Sequence, residues 1–286
     1  LEKDQPFFLY FASPANHSPY TPSKEIGGLQ VEGASKYKDG TPTKSLRQDF
    51  VYQNDVHLKR LLTYLKETDD PRRPGRPLIE NTLVIFTSDN GAEIDNKRFT
   101  GPLRSHKGST YEGGHRVPFI ASWPLGNVGD GNDKTSGATR SSLIALNDLY
   151  ATFAEMVGEP LPPVSGKGRG AEDSVSQLQA LQGRTDFLRP GAIFPNDHKE
   201  ATKKRNDGRA VVAVRTNEAP LPGQWKLFLD SSYAWEGKLQ PTELYNLAND
   251  PKESTNLLNQ DDVKPVLEYL LKVAEEAAGD DGSSRE

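Results

Sequence analysis

Four residues stand where side-chain chemistry would be done: Asp89 and Asn90 in "FTSDNGAE", Lys107 in "GPLRSHKGSTYEGGHRVPFIASWP", and His17 in "SPANHSPYTPS". An acid followed by an amide offers two hard oxygen donors of the kind calcium or magnesium prefers, and Gly91 lets the backbone turn sharply enough to aim both. The same Asp-Asn-Gly run is ordinary Asx-turn chemistry at the end of a strand, and that reading stands beside the metal one. Calcium takes roughly six to eight oxygens, so other acids, a substrate oxygen or water would have to complete any shell. Lys107 puts a cation in a glycine-dense loop whose tight backbone would carry it to the same edge as Asp89. Lys107-Gly108-Ser109 reverses the Gly-Lys-Ser order of a phosphate loop, so the alternative to a working cation is a solvated surface lysine. His17 lies between prolines that stiffen its loop; its imidazole would donate a proton to a leaving group, or merely hydrogen-bond the backbone. Asn16-His17-Ser18 also matches a glycosylation acceptor, which Pro19 directly after it disfavours.

Short apolar runs ending in polar punctuation would position these residues: Phe7–Phe11 before the His17 loop, Leu83–Thr87 before "SDNG", and Val117–Ser122 before "WPLG". Between Lys44 and Lys66, Phe50, Val51, Leu58, Leu61, Leu62 and Leu65 recur at helical spacing, broken by the polar pair Asn54 and Asp55. "NDLYATFAEMVGEPLPP" predicts a second helix, with Asn147 or Asp148 as cap and Gly158 as stop. Strands alternating with helices predict an α/β fold with a mostly parallel central sheet, whose chemistry gathers at the carboxyl ends of strands. Leu161 to about Arg184 reads as a long irregular connection. Beyond it, Ala210–Val214 and Trp225–Leu229 predict a smaller sheet, "VKPVLEYLLKVAEEAA" a terminal helix, and the residues after Gly279 a disordered tail. The expected division is therefore 1–185 and 186–286.

Bulk composition narrows the classes of function. The chain has 286 residues and a net charge of −5, which argues against a nucleic-acid partner. No apolar run approaches the length of a membrane span, and "LEKDQPFFLYF" lacks the ordered regions of a secretory signal. Cysteine is absent, which excludes disulfides, thiolate metal sites and cysteine nucleophiles from these residues. Met156 is the one methionine, so the chain is expected to be a piece or a processed product. Other candidates fare worse: "DGNDKTSG" from Asp130 puts Lys134 and Thr135 where a calcium hand needs a ligand and a glycine. The basic run 198–209 reads as a solvated loop, and neither His57 nor His106 has independent support.

"PFFLYFASPANHSP", "NTLVIFTSDNGAE", "HKGSTYEGGHRVPFIASWP" and "ELYNLANDPKESTNL" together resemble, in order and spacing, the type I sulfatases of the alkaline phosphatase-like superfamily. The resemblance implies an alkaline phosphatase-like sandwich with a mostly parallel central sheet and a smaller C-terminal antiparallel sheet carrying a helix. It implies that Asp89 and Asn90 are metal ligands of a divalent cation, usually Ca2+ with Mg2+ as an alternative. Lys107 would bind the sulfate and its bridging oxygen, and His17 would bind sulfate and help protonate the departing alcohol. Glu112 and Arg116 are given structural roles, and His115 none. The family's Cys/Ser-x-Pro-x-Arg segment, whose Cys or Ser becomes formylglycine, has no counterpart in these residues. The chain is accordingly expected to be the C-terminal part of a sulfatase, inactive alone, acting on a small-molecule or carbohydrate sulfate ester, and exported. Two alternatives stay open: a phosphatase or phosphodiesterase of the same superfamily, and a non-catalytic module that binds sulfated glycans.

Overall fold

The computed structural model describes residues 5–93, 97–129, 132, 134, 137–164, 166–186, 188–196, 211–230 and 240–277. The expected tail after Gly279, the basic run 198–209 and most of the Asp130 loop lie outside the described residues. The chain divides into two compact units, one within residues 1–84 and 122–132, the other within 85–121 and 133–286.

The first unit is organised by helix α1 (Leu46–Glu67) and a small hairpin of β1 (Glu25–Ile26) and β2 (Leu29–Gln30). Ser45 starts α1 by accepting the Gln48 N–H at 3.4 Å, and Asp49 sits in the first turn, where the helix dipole favours an anion. The helix buries Phe50 and Val56, and Val31, Leu78 and Val128 are also buried in this unit. The polar intrusion Asn54 serves the neighbouring loop, because its amide donates to the Ala15 carbonyl at 2.9 Å and so holds the segment that carries His17. Neighbouring Gln53 does the same for the loop's far end, accepting the Ser23 N–H at 2.8 Å.

Phe7–Phe11 does not form the expected strand. A strand is defined by its ladder, and this run belongs to none of the described ladders; Phe8 and Tyr10 are 76% and 80% exposed.

The second unit contains all but the first residue of β3 (Val84–Thr87), paired with β4 (Phe119–Ser122), whose last residue falls in the first unit, and the short helices α2 (Lys97–Thr100) and α3 (Glu112–His115). Helix α4 (Asp148–Val157) ends at Gly158, whose φ of 74° is the left-handed conformation that glycine adopts at least cost. After α5 (Leu178–Leu181) comes a four-stranded antiparallel sheet in the order β5 (Ala192–Asn196), β6 (Val211–Thr216), β7 (Trp225–Asp230), β8 (Gln240–Asn246). Helix α6 (Lys264–Ala277) closes the chain. The C-terminal antiparallel sheet and its helix are as expected. No mostly parallel sheet is seen among the described residues: apart from the C-terminal sheet, strands pair two by two, and the sheet expected to be the smaller is the largest.

Alternation along the strands gives this sheet two different faces. Val214, Trp225, Leu227, Leu229 and Leu244 pack on Val266, Leu270 and Ala274 of α6, spaced four apart on one side of the helix. Each fully buried leucine or valine contributes about 1.5–3 kcal/mol. The opposite face carries Ala213, Phe228 and Tyr245, packed on Tyr111, together with the charged residues Arg215 and Lys226. Arg215 pairs in register with Lys226, and Lys226 with Tyr245. Two cations directly opposite in a ladder repel, so this face needs an anion between them.

Candidate active site

Glu112 supplies that anion. It is the first residue of α3 and fully buried, with Oε1 at 3.1 Å from the Lys226 Nζ and Oε2 at 3.5 Å from Nη1 of both Arg215 and Arg116. Glu253, in the turn after β8, completes the set. One carboxylate oxygen accepts from Lys226 at 2.8 Å and the other accepts the Glu112 backbone N–H at 2.8 Å. Burial pushes the Glu112 carboxyl up, but Lys226 and Arg215 pull it down further, to about 2. Burial, outweighing Lys226, raises Glu253. For His115, burial and the adjacent Lys226 charge both act downward, to about 3, so the ring is neutral at physiological pH. It stacks on Phe194, with centroids 4.1 Å apart.

A second set of contacts fixes the same loop one strand further on. Arg104 lies 3.7 Å over the Tyr111 ring and donates to the Glu253 carbonyl at 2.9 Å and the Tyr245 hydroxyl at 3.2 Å. The Tyr111 hydroxyl donates to the Glu243 carboxylate at 2.9 Å, and that of Tyr245 at 2.6 Å. Burial and the neighbouring carboxylate raise both phenols, which keeps them as donors.

The loop held this way joins the end of β3. Gly91 N–H donates to the Gly114 carbonyl at 2.8 Å, and Lys107 N–H donates to the Ala92 carbonyl at 2.7 Å. Within the loop, Gly113 N–H donates to the Arg104 carbonyl at 2.8 Å. The approach is too close for side chains: a Cβ on Gly91 would meet the Gly113 oxygen at 2.0 Å, and one on Gly114 would meet the Ser109 oxygen at 2.0 Å. The glycines therefore set how near the Asp89–Asn90 turn lies to the backbone of Lys107. Asp89 is exposed, and Asn90 and Lys107 are half-buried. The Ser88 hydroxyl donates to the Asn90 carbonyl at 3.1 Å, an Asx/ST-type closure of the strand end.

Among the described residues there is no group of three or more His, Cys, Asp or Glu that would hold a metal. The chemistry of the pair at hand still fits a hard cation in kind: Asp89 and Asn90 are adjacent oxygen donors at a strand end, enough for part of a shell. His17 belongs to the other unit. Its backbone N–H donates to the Pro14 carbonyl at 2.9 Å, and Nδ1 lies 2.7 Å from the Ser18 carbonyl. A carbonyl can only accept, so Nδ1 carries the hydrogen and Nε2 is the atom left to exchange a proton. His57 also lies in that unit and packs at 5.2 Å from the Phe11 ring.

The buried partners of the loop escaped the sequence reading. A signal was present: Lys226 interrupts the apolar run "WKLFL", and a lysine inside a strand buried on both faces needs a carboxylate. Nothing in the spacing says that this carboxylate lies 114 residues away.

A family model described as "Sulfatase" matches residues 1–159. A protein described as a sulfatase from Formosa agariphila is 30% identical over 274 residues, covering 94% of this chain and 45% of the relative. Human arylsulfatase A is 31% identical over 268 residues, 90% of this chain and 45% of that protein. A protein solved in complex with its substrate, D-glucosamine-2-N,6-O-disulfate, superimposes with a TM-score of 0.56 at 19% identity, covering 85% of this chain and 43% of the other. That last likeness is one of fold. The chain spans a little under half the length of each of these proteins.

Proposed function

The chain belongs to the sulfatase family, and from that premise we propose that it forms part of a sulfuric ester hydrolase. In this reading Asp89, Asn90 and Lys107 act on one sulfate group, and His17 acts on the leaving alcohol. The observation that carries it is the backbone junction between the two loops: Gly91 bonded to Gly114 and Lys107 bonded to Ala92 put an acid–amide pair and a lysine on adjoining segments. A site for a sulfate ester needs cationic groups where negative charge gathers, and preorganised charge of this kind is usually the largest catalytic contribution. Asp89 and Asn90 would hold a divalent cation with ligands from outside these residues; when bound, it would polarise sulfate oxygens and template the attack. Lys107 would hold the sulfate oxygens and the bridging oxygen as charge builds there. His17, its Nδ1–H committed to the Ser18 carbonyl, would deliver a proton from Nε2 to the departing alcohol oxygen as the S–O bond breaks.

The nucleophile comes, in this reading, from outside the 286 residues, which contain no Cys/Ser-x-Pro-x-Arg segment. The proposed substrate class is a carbohydrate sulfate ester, supported by the fold neighbour bound to a sulfated glucosamine. Export is proposed on family grounds; no described helix is long and apolar enough to cross a membrane. The phosphatase and glycan-module alternatives gain nothing from relatives that are named as sulfatases. The test is sulfate release from glucosamine 6-sulfate by the full-length protein and its Lys107→Ala and His17→Ala variants. Both variants are expected to fold and to lose at least about a hundredfold in kcat; parental rates in either would reject that residue's role.

A further inference from the structure

The Lys107 loop is held by Lys226 of β7 and Glu253 after β8, neither of which is a proposed reacting group. Three links form an unbroken path. The Glu253 carboxylate accepts the Glu112 N–H at 2.8 Å and simultaneously neutralises Lys226 at 2.8 Å. Glu112 opens α3, and Gly114 of the same turn accepts the Gly91 N–H at 2.8 Å. Gly113 binds back to Arg104, at the base of the segment whose Lys107 N–H bonds to Ala92. Helix α3 is thus the hub where the Asp89–Asn90 turn and the Lys107 segment are joined, and its first residue is fixed by the C-terminal sheet. Glu112, Lys226 and Glu253 are at most 1% exposed. Such a cluster tolerates little displacement, because moving one member leaves another charge buried without its partner.

We propose that Glu253 and Lys226 are positioning residues for Lys107 and the Asp89–Asn90 turn, so that the C-terminal sheet sets the geometry of the site from behind. The two most recognisable segments of the sequence, "KGSTYEGG" and "LYNLANDPKE", are then one device: the second supplies the carboxylate that anchors the first. A mere stabilising role would let either residue change with loss of melting temperature alone. A positioning role requires the loop junction itself to loosen while the sheet stays intact. The part of this inference that concerns turnover rests on the sulfatase reading above; the part that concerns loop geometry does not.

The experiment uses the full-length protein and Glu253→Gln, which keeps the shape and removes the charge. Amide hydrogen exchange is followed at Gly91, Lys107 and Glu112, with Leu227 and Leu229 of β7 as internal controls, alongside kcat and KM on glucosamine 6-sulfate. The expected result is exchange at the three loop amides faster by about tenfold or more, unchanged protection in β7, and a fall of about tenfold in kcat. If Glu253→Gln does not fold, Glu253→Asp decides by the same readouts: it keeps the charge but is too short to reach both Lys226 and the Glu112 N–H. Unchanged exchange at Gly91 and Lys107 would overturn the proposal, whatever the activity. Faster exchange at these amides in a protein whose parent releases no sulfate would uphold the positioning device and reject the sulfatase reading instead.

Discussion

The Lys107 loop and the His17 loop are both proposed to present one polar side chain to a sulfate ester, yet they are built in opposite ways. The first is anchored by buried charge: Glu112 and Lys226 are fully buried, and the loop backbone is bonded to the turn after β3 at two points. The second is anchored by neutral bonds near the surface, with Asn54 on Ala15, the His17 N–H on Pro14 and its ring on Ser18. It follows a run whose aromatic residues are exposed. Buried ion clusters are costly to assemble and costly to break, so the first loop should respond to mutation as a unit. The second should respond in small independent steps.

The largest difference is expected at Glu112. Removing its charge leaves Lys226 and Arg215 facing each other across β6 and β7, and Glu112→Gln should cost about 3–5 kcal/mol in urea unfolding. A loss under about 1 kcal/mol would show that the cluster is not energetically coupled. Next comes acid sensitivity. The His115 ring sits near 3 in the folded protein against 6.5 unfolded, so below about pH 6.5 the unfolded chain takes up a proton that the folded one refuses, and stability falls as pH falls. Glu112, also depressed, adds to this below about pH 4.5, while Glu253, raised by burial, opposes it. The comparison is therefore between the parent and His115→Gln: from about pH 7 to about pH 5 the parent should lose more melting temperature. Parallel curves would contradict the assignment. The smallest effect is expected in the other loop, where Asn54→Ala gives up one bond to Ala15 and should cost about 1 kcal/mol. A loss as large as that of Glu112→Gln would erase the contrast.

The two loops also differ in how far the sequence revealed them. Local signals were sufficient for α1, announced by its apolar spacing, for α4 with Gly158 as its stop, and for β3 ending before Ser88. Glycine density before β4 suggested a tight backbone; that Gly113 and Gly114 leave no room for a Cβ is a finding of the structure. Strands β5 and β8 were missed because Pro195 and Pro241 interrupt their patterns; both are edge strands of the described sheet, where a missing backbone N–H is tolerated. Phe7–Phe11 was misread for the complementary reason: apolar residues suffice to suggest a strand, whereas forming one requires a neighbour. The ion cluster lay beyond local reading altogether. Arg215, Lys226, Glu253 and Glu112 meet only after β6, β7 and β8 are in register, and no periodicity records that meeting.

Whether Asp89 and Lys107 serve a single reacting group is tested most directly by a double-mutant cycle. Sulfate release from glucosamine 6-sulfate would be measured for the full-length parent, Asp89→Ala, Lys107→Ala and the double variant. If both residues act on one sulfate, the double variant should lose about as much as the worse single one, because either change already dismantles the charge arrangement. Losses that simply multiply, or a parental rate in either single variant, would contradict the account.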